Sequence, residues 1–231
     1  MDDFTFVGVV KEKDSLLFLN SLYVLLQRVN FLPENTIFRL VYNVDDRDFE
    51  FAEFDEVDDG ITDINSSEGS EGNIASVRKW DGWFCSFSRE DMCLGIAYGK
   101  SDDNVCNCYV KIAARFVTML LRMDDMIRLY RLLAQILKTG VSRIGIMDAG
   151  FEFPSLTEAE IVEGFLDSPV NPGFPVSVGL ISQKLFGSGR LIQIRSKVQA
   201  GFTNTLLPEG YWVIEEHDFR EVYSQLKDGK S

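Results

Sequence analysis

The chain has 231 residues, of which 45% are hydrophobic and 26% charged, and its formal net charge is −13. This composition is typical of a globular protein with a sizeable core, and it excludes the disordered and fibrous classes. The field of so acidic a chain has the wrong sign for nucleic acid or an anionic lipid surface, so we expect no nucleic acid and no membrane among its partners.

The N-terminus and the most apolar run suggest the cellular location. The first residues, MDDF, lack the basic segment of a secretory signal, and the run from Leu16 to Leu26 is too short to span a bilayer. Four cysteines are too few for a disulfide framework in a chain of this length. We therefore expect a cytoplasmic protein with free thiols.

The first elements along the chain predict a β-α-β start. Apolar residues over 4–10 favour an inner strand, and Asp14 or Ser15 is suited to cap a helix with apolar residues over 16–26. Alternating apolar and polar residues over 36–44 then predict a second strand.

Residues 45–71 carry most of the negative charge. Twelve acids and one base, Arg47, give this stretch −11 of the formal −13. Residues 45–48 are expected to form a tight polar turn before a returning strand. Residues 55–76 are rich in Asp, Glu, Gly, Ser and Asn, which predicts a long acidic mobile loop.

Short strands are expected after this loop. The pair Asp81-Gly82 is a type I′ hairpin signal, and a two-residue turn there would place Trp80 across from Trp83. Polar turns at 88–91 and 99–104 then predict a central antiparallel β-meander. Two interpretations of the tryptophans remain open: an inward or cross-strand pair that stabilises the hairpin, or an exposed anchor for a partner.

The second half of the chain is expected to begin with a helix. Its predicted elements, in order, are a helix over 115–138, a strand over 141–147, a helix to about 167 that starts at a capping box Ser155-x-x-Glu158, strands over 176–182, 191–198 and 211–215, and a final helix capped by Asp218.

The expected fold class is α+β: a mainly antiparallel sheet or sheets with flanking helices, a β-α-β start and a central β-meander. We expect one domain over residues 1–231, with two lobes of about 1–122 and 123–231 as the alternative.

The cysteines are expected in the core. With Ser88 opposite Met92 and Tyr98 opposite Val105, the four thiols would share one side of the sheet, and Cys85 and Cys108 would be roughly 10 Å apart. That separation is too large for a disulfide and awkward for tetrahedral zinc.

Catalytic and cofactor signatures are weak. The only histidine, His217, is expected at a surface junction, and no Gly-x-Ser-x-Gly motif occurs, which argues against a triad hydrolase. Gly99-Lys100-Ser101 lacks the earlier glycine of a P-loop. A calcium loop starting at Asp55 would have Val57 and Ser66 at ligand positions. We therefore predict no catalytic residue and no cofactor, with a weak divalent-ion site among the carboxylates left open.

The leading functional hypothesis is an acidic binding protein that neutralises a basic protein partner, as a bacterial immunity protein or antitoxin inhibits a toxin. Concentrated negative charge produces a one-sided field that steers a basic partner, and the phenylalanines among the acids exceed what a solvating tract requires. The residues expected to contact the partner are Asp46, Asp48, Glu50, Glu53, Asp55, Glu56, Asp58, Asp59, Trp80 and Trp83.

Three alternatives remain. The acidic stretch can be a solvated loop that only keeps the protein in solution. A carboxylate-dependent hydrolase predicts a concave pocket with two carboxyls, one of them with a raised pKa. A structural or assembly subunit predicts a stable oligomer.

Overall fold

The computed structural model describes residues 3–52, 61–63, 77–90, 92–113, 123–137, 141–147, 153–167, 178–185, 192, 195, 204–215, 218 and 222. Within these residues, eleven strands form one sheet in which every strand pair is antiparallel. The expected class, α+β with a mainly antiparallel sheet and flanking helices, is confirmed.

The elements are numbered in chain order. The strands are β1 (Asp3–Val9), β2 (Leu32–Asn43), β3 (Asp48–Phe51), β4 (Ile61–Asp63), β5 (Gly82–Arg89), β6 (Met92–Lys100), β7 (Cys106–Ala113), β8 (Val141–Met147), β9 (Val178–Ser182), β10 (Thr205–Leu206) and β11 (Tyr211–Glu215). The helices are α1 (Ser15–Gln27), α2 (Met123–Leu137) and α3 (Glu158–Asp167).

The strand order is β10-β11-β9-β8-β1-β7-β6-β5-β2-β3, and β4 also pairs with β2. Strands from both halves of the chain therefore belong to one sheet. The chain opens with β1, α1 and β2, but β1 and β2 are not neighbours, because β7, β6 and β5 lie between them. None of the described helices is long and apolar enough to cross a membrane.

Each face of the sheet has its own apolar core. Phe18 of α1 and Leu132 of α2 belong to one core, whereas Ile161 of α3 belongs to the other. Adjacent strand residues alternate between the two cores, as Phe6 and Val7 do in β1. This is the two-residue repeat of a strand that is covered on both faces.

Strands β5, β6 and β7 pair in chain order, but their register differs from the one expected. Met92 lies opposite Arg89 rather than Ser88. Tyr98 lies opposite Cys108. The seven residues of β6 from Leu94 to Lys100 pair with residues 106–112 of β7. Two residues therefore separate the paired ends of β5 and β6, one fewer than the expected pairing implies.

The cysteine side chains have structural surroundings. Cys85, Cys106 and Cys108 are buried in one apolar core, and Cys93 packs against it. Burial raises the pKa of the Cys85 and Cys108 thiols, so both are neutral at physiological pH. Within the described residues, no group of three or more His, Cys, Asp or Glu side chains is arranged to hold a metal ion.

The two tryptophans do not form the expected hairpin pair. Val77–Lys79 is a single 3-10 turn and β5 begins at Gly82, so Trp80 lies outside the strand. Trp80 is 8% exposed and Trp83 0% exposed, and the Trp83 indole N–H donates to the Ser15 carbonyl oxygen at 3.2 Å. The interpretation of both residues as exposed partner anchors is therefore corrected, because β5 directs Trp83 into the core beneath α1.

Two segments differ from their expected secondary structure. Ile61–Asp63, expected within the acidic loop, form β4 and pair with residues 36–38 of β2. The rest of that expected loop lies outside the described residues. Ile192 and Arg195, expected in a strand, have helical conformation.

Candidate functional site

Residues 45–50 of the acidic stretch form one corner of the sheet. Strand β2 ends at Asn43, a turn occupies residues 44–47, and β3 follows as the last strand in the sheet order. The acidic corner is defined as Asp45, Asp46, Asp48 and Glu50. Asp45, Asp46 and Glu50 are exposed, and Asp48 is half-buried.

The side-chain amide of Asn43 organises this corner. Its oxygen accepts from the backbone N–H groups of Asp45 and Asp46 at 3.1 and 3.3 Å. Its nitrogen donates to the carboxylates of Asp46 and Glu50 at 3.0 and 2.8 Å. An asparagine at the start of a turn commonly stabilises it in this way. Here the amide also fixes the direction of two carboxylates.

Arg47, the only base of the acidic stretch, is directed away from these carboxylates. Its guanidinium donates to both oxygens of Glu160 in α3, at 3.0 and 3.5 Å. The Arg47 backbone has φ of 56°, the left-handed conformation that closes the turn. The pairing with Glu160 raises the pKa of Arg47. The positive charge of Arg47 is therefore paired with Glu160 rather than with the acids of the turn.

Glu160 is held by a capping box at the start of α3. Its carboxylate accepts from the Thr157 N–H and hydroxyl at 2.7 and 2.8 Å, and the Thr157 hydroxyl oxygen accepts from the Glu160 N–H at 3.2 Å. The hydrogen bond from the Thr157 backbone is the main cause of the lowered pKa of Glu160. The capping box is therefore Thr157-x-x-Glu160, and the expected Ser155-x-x-Glu158 is corrected.

The outer edge of β3 is covered by the segment that precedes α3. The Phe49 N–H donates to the Phe153 carbonyl at 3.1 Å, and the Ser155 N–H donates to the Arg47 carbonyl at 2.7 Å. Ser155 therefore pairs through its backbone with the turn before β3 and does not begin the helix. The pairing also protects the first part of an edge strand, which would otherwise expose unpaired backbone groups.

Strand β7 anchors this covering segment from beneath. The buried Asn107 side chain donates to the Leu156 carbonyl at 2.7 Å and accepts from the Leu156 N–H at 3.2 Å. The Tyr109 hydroxyl donates to the Pro154 carbonyl. The central sheet thus holds the segment, and the segment holds the acidic corner through β3 and Glu160.

Phe49 and Phe51, the described phenylalanines among the acids, pack in the core. Phe49 is 1% exposed and its ring lies on Gly99, where a Cβ atom would be 2.5 Å from the ring. Phe51 packs against the rings of Phe84 and Phe153, with centroid separations of 5.6 and 6.2 Å. The alternation of acids and phenylalanines therefore reflects the two sides of β3, and it is not evidence for a partner.

Two exposed apolar side chains accompany the acidic corner. Val41, opposite Glu50 in the β2–β3 pair, is 37% exposed, and Val44 in the turn is 62% exposed. Protein interfaces commonly combine apolar contact area with a charged or polar surround. The corner therefore offers a partner both a negative electrostatic field and a small apolar contact area.

The residues proposed from sequence have three different locations. Asn43 brings the carboxylates of Asp46 and Glu50 together at the corner, and Asp48, half-buried, lies opposite Asn43 in the β2–β3 pair. Trp80 and Trp83 lie in the core with α1. The remaining five, Glu53, Asp55, Glu56, Asp58 and Asp59, lie outside the described residues.

Sequence reasoning missed Asn43, Arg47 and Glu160 as parts of this site. Asn43 directly before two aspartates is the signal of a side-chain-closed turn. No sequence signal connects Arg47 with a residue 113 positions later.

A separate concave feature lies between α1 and α2. It is a groove of about 1090 Å³ whose carboxyl-bearing lining residues are Glu12 and Glu209. Glu209 accepts from the Arg131 guanidinium at 2.8 Å, and Glu12 accepts from the Asp14 N–H at 3.0 Å. One oxygen of each carboxylate therefore has a structural partner, whereas Glu209 Oε2 is buried without a hydrogen-bond partner among the described residues. The hydrolase alternative stays a prediction.

Comparison of the chain with protein-family models, curated proteins and solved structures gave no match. Function is therefore inferred from the geometry of these sites.

Proposed function

We propose that this chain is a soluble, cytoplasmic binding protein that neutralises a basic protein partner through its acidic corner, in the manner of a bacterial immunity protein or antitoxin that occludes a toxin. The observation that supports this most directly is the set of exposed carboxylates that Asn43 holds at the β2–β3 turn. The neighbouring base, Arg47, pairs with Glu160 instead of with these carboxylates.

The charge distribution favours association with a cation. The stretch that contains the corner carries −11 of the formal −13, and its one base is paired within the fold. Concentrated charge of one sign raises the association rate with an oppositely charged protein by one or more orders of magnitude at low salt. The acids at 53–59 belong to the same proposal because they follow β3 directly in the chain.

The rigidity of the corner favours specific binding rather than diffuse attraction. Asn43 holds two carboxylates, and the hydrogen bonds of Phe49 and Ser155 fix β3 and its turn against the segment that precedes α3. A binding surface that is ordered before association loses less conformational entropy when the complex forms. Lysine and arginine side chains of a partner would therefore meet carboxylates already in place.

The test is capture of a partner from lysate by immobilised protein, followed by elution in rising salt. The corner variant Asp45→Asn/Asp46→Asn/Glu50→Gln removes three charges. The matched control Glu34→Gln/Glu90→Gln/Glu163→Gln removes three exposed charges elsewhere.

We expect a basic protein that elutes with salt, that the control still captures, and that the corner variant captures at least tenfold less. Equal capture by both variants, or capture indifferent to salt, would contradict the proposal. A stable oligomer on a sizing column, without any captured partner, would favour an assembly subunit instead.

A further inference from the structure

The groove between α1 and α2 has an apolar wall along one helix. Phe18, Leu22 and Leu25 line it from α1, and Ala134 and Ile136 line it from α2. All but the half-buried Leu25 are at most 5% exposed, so this wall is the outer surface of the core. The α1 positions recur at three- and four-residue intervals, so they form one continuous stripe along about two turns of the helix. A volume of about 1090 Å³ lies just above the usual range for small-molecule sites.

The charge around this groove is opposite to that of the chain as a whole. Lys11, Arg28 and Lys184 line the groove and are exposed. In the part of the chain that the structure describes, none of these three forms an ion pair. Of the two acids of the lining, Glu209 forms an ion pair with Arg131 through one oxygen, while its other oxygen is buried without a hydrogen-bond partner among the described residues. Glu12 accepts from the Asp14 N–H, so three cations without an ion pair face one acid without an ion pair. An anion is therefore the ligand charge that the groove fits.

The sheet topology places two of these cations at one end of the groove. Lys11 follows the carboxyl end of β1, and Lys184 follows that of β9. Only β8 lies between β1 and β9, and it is antiparallel to both, so the two carboxyl ends are at the same edge, roughly 10 Å apart. The apolar stripe of α1 runs from this pair of lysines toward Arg28.

We propose that this groove binds an amphiphilic carboxylate, an unbranched acyl chain that lies against Phe18, Leu22 and Leu25 with its carboxylate between Lys11 and Lys184. Burial of the chain along α1 supplies the apolar contribution, and the lysines select a negative head group. The site is independent of the acidic corner, since β9 and β11 lie near one end of the strand order and β2 and β3 at the other.

The experiment is isothermal titration calorimetry of the full chain with dodecanoate below its micelle-forming concentration. Hexanoate tests the need for chain length, and dodecyltrimethylammonium tests the sign of the head group. Ser21→Trp places a bulky side chain in the groove from an exposed lining position. Asn20→Trp, one residue earlier and exposed outside the lining, is the matched control.

We expect saturable one-to-one binding of dodecanoate, at least tenfold weaker binding of hexanoate, and at least tenfold weaker dodecanoate binding by Ser21→Trp and by Lys11→Glu/Lys184→Glu. Asn20→Trp should change the affinity less than twofold. Circular dichroism melts verify that each variant is folded.

No saturable binding of dodecanoate to the folded chain would overturn the proposal. Dodecyltrimethylammonium binding that Ser21→Trp abolishes would also overturn it, because the groove would then select a cation. Dimerisation that Ser21→Trp prevents, with no dodecanoate bound, would assign the groove to a second copy of the chain.

Discussion

The Arg47 guanidinium donates to both carboxylate oxygens of Glu160, at 3.0 and 3.5 Å, and so joins the β2–β3 turn to the first turn of α3. The side chains are 55% and 33% exposed, so the pair contributes little to global stability. Its consequence is local. It directs the one base of the acidic stretch toward the fold and leaves the carboxylates of the turn facing solvent.

Asn43 separates the effect of geometry from that of net charge. Asn43→Asp adds a negative charge but replaces the donor that holds Asp46 and Glu50 with a third carboxylate. We expect the variant to bind the partner more weakly than the parent chain despite its greater charge, because like charges will splay the corner. Tighter binding by Asn43→Asp in a calorimetric titration would show that net charge alone determines affinity.

The capping box predicts how stability depends on pH. The folded state lowers the pKa of Glu160 from its ordinary 4.5, chiefly through the Thr157 backbone. A lowered pKa contributes stability that is present above about 4.5 and is lost as pH falls through the folded-state value. The free energy of unfolding, measured in urea from pH 6 to pH 3, should therefore fall less steeply for Glu160→Gln than for the parent chain. Glu163→Gln, exposed on the same helix, is the control and should follow the parent.

Gly99 tests how β3 is seated. A methyl group at this position would lie 2.5 Å from the buried Phe49 ring, so Gly99→Ala must displace the ring. Overpacking of this kind typically costs about 1–3 kcal/mol, measured as the free energy of unfolding in urea. Gly95→Ala meets the Phe84 ring at 3.0 Å and should cost less. Equal costs for the two substitutions would contradict the packing described here.

Trp83 distinguishes a core residue from a partner contact. Trp83→Phe removes the donor to the buried Ser15 carbonyl and should destabilise the fold by about 1–3 kcal/mol. The folded variant should bind the partner with unchanged affinity, because the side chain is 0% exposed. A loss of affinity without a loss of stability would restore the interpretation of Trp83 as a binding anchor.

Local patterns predicted the elements whose signals lie within a few residues. Asp14 caps α1 as expected, with its carboxylate accepting from the Leu17 N–H at 3.0 Å. Strands β8 and β11 have the predicted bounds, Val141–Met147 and Tyr211–Glu215. In each case the apolar run and its flanking polar residues were sufficient, because both are contiguous in the chain.

The errors arose where distant segments decide the outcome. Ser155-x-x-Glu158 and Thr157-x-x-Glu160 both fit a capping box, and the first was excluded because the Ser155 backbone pairs with Arg47. Trp80 and Trp83 fit a hairpin pair, but β5 instead takes β2 and β6 as its neighbours. Such pairings depend on residues far along the chain, which no local pattern contains.

The association rate of the captured partner, measured by stopped flow over a range of salt concentrations, tests the central claim most directly. We predict that the rate constant falls steeply with salt for the parent chain and for Glu34→Gln/Glu90→Gln/Glu163→Gln. For Asp45→Asn/Asp46→Asn/Glu50→Gln, the rate constant at low salt should be at least tenfold lower, and it should fall less steeply as the salt concentration rises. Identical rates and slopes for the two triple variants would contradict docking through the acidic corner.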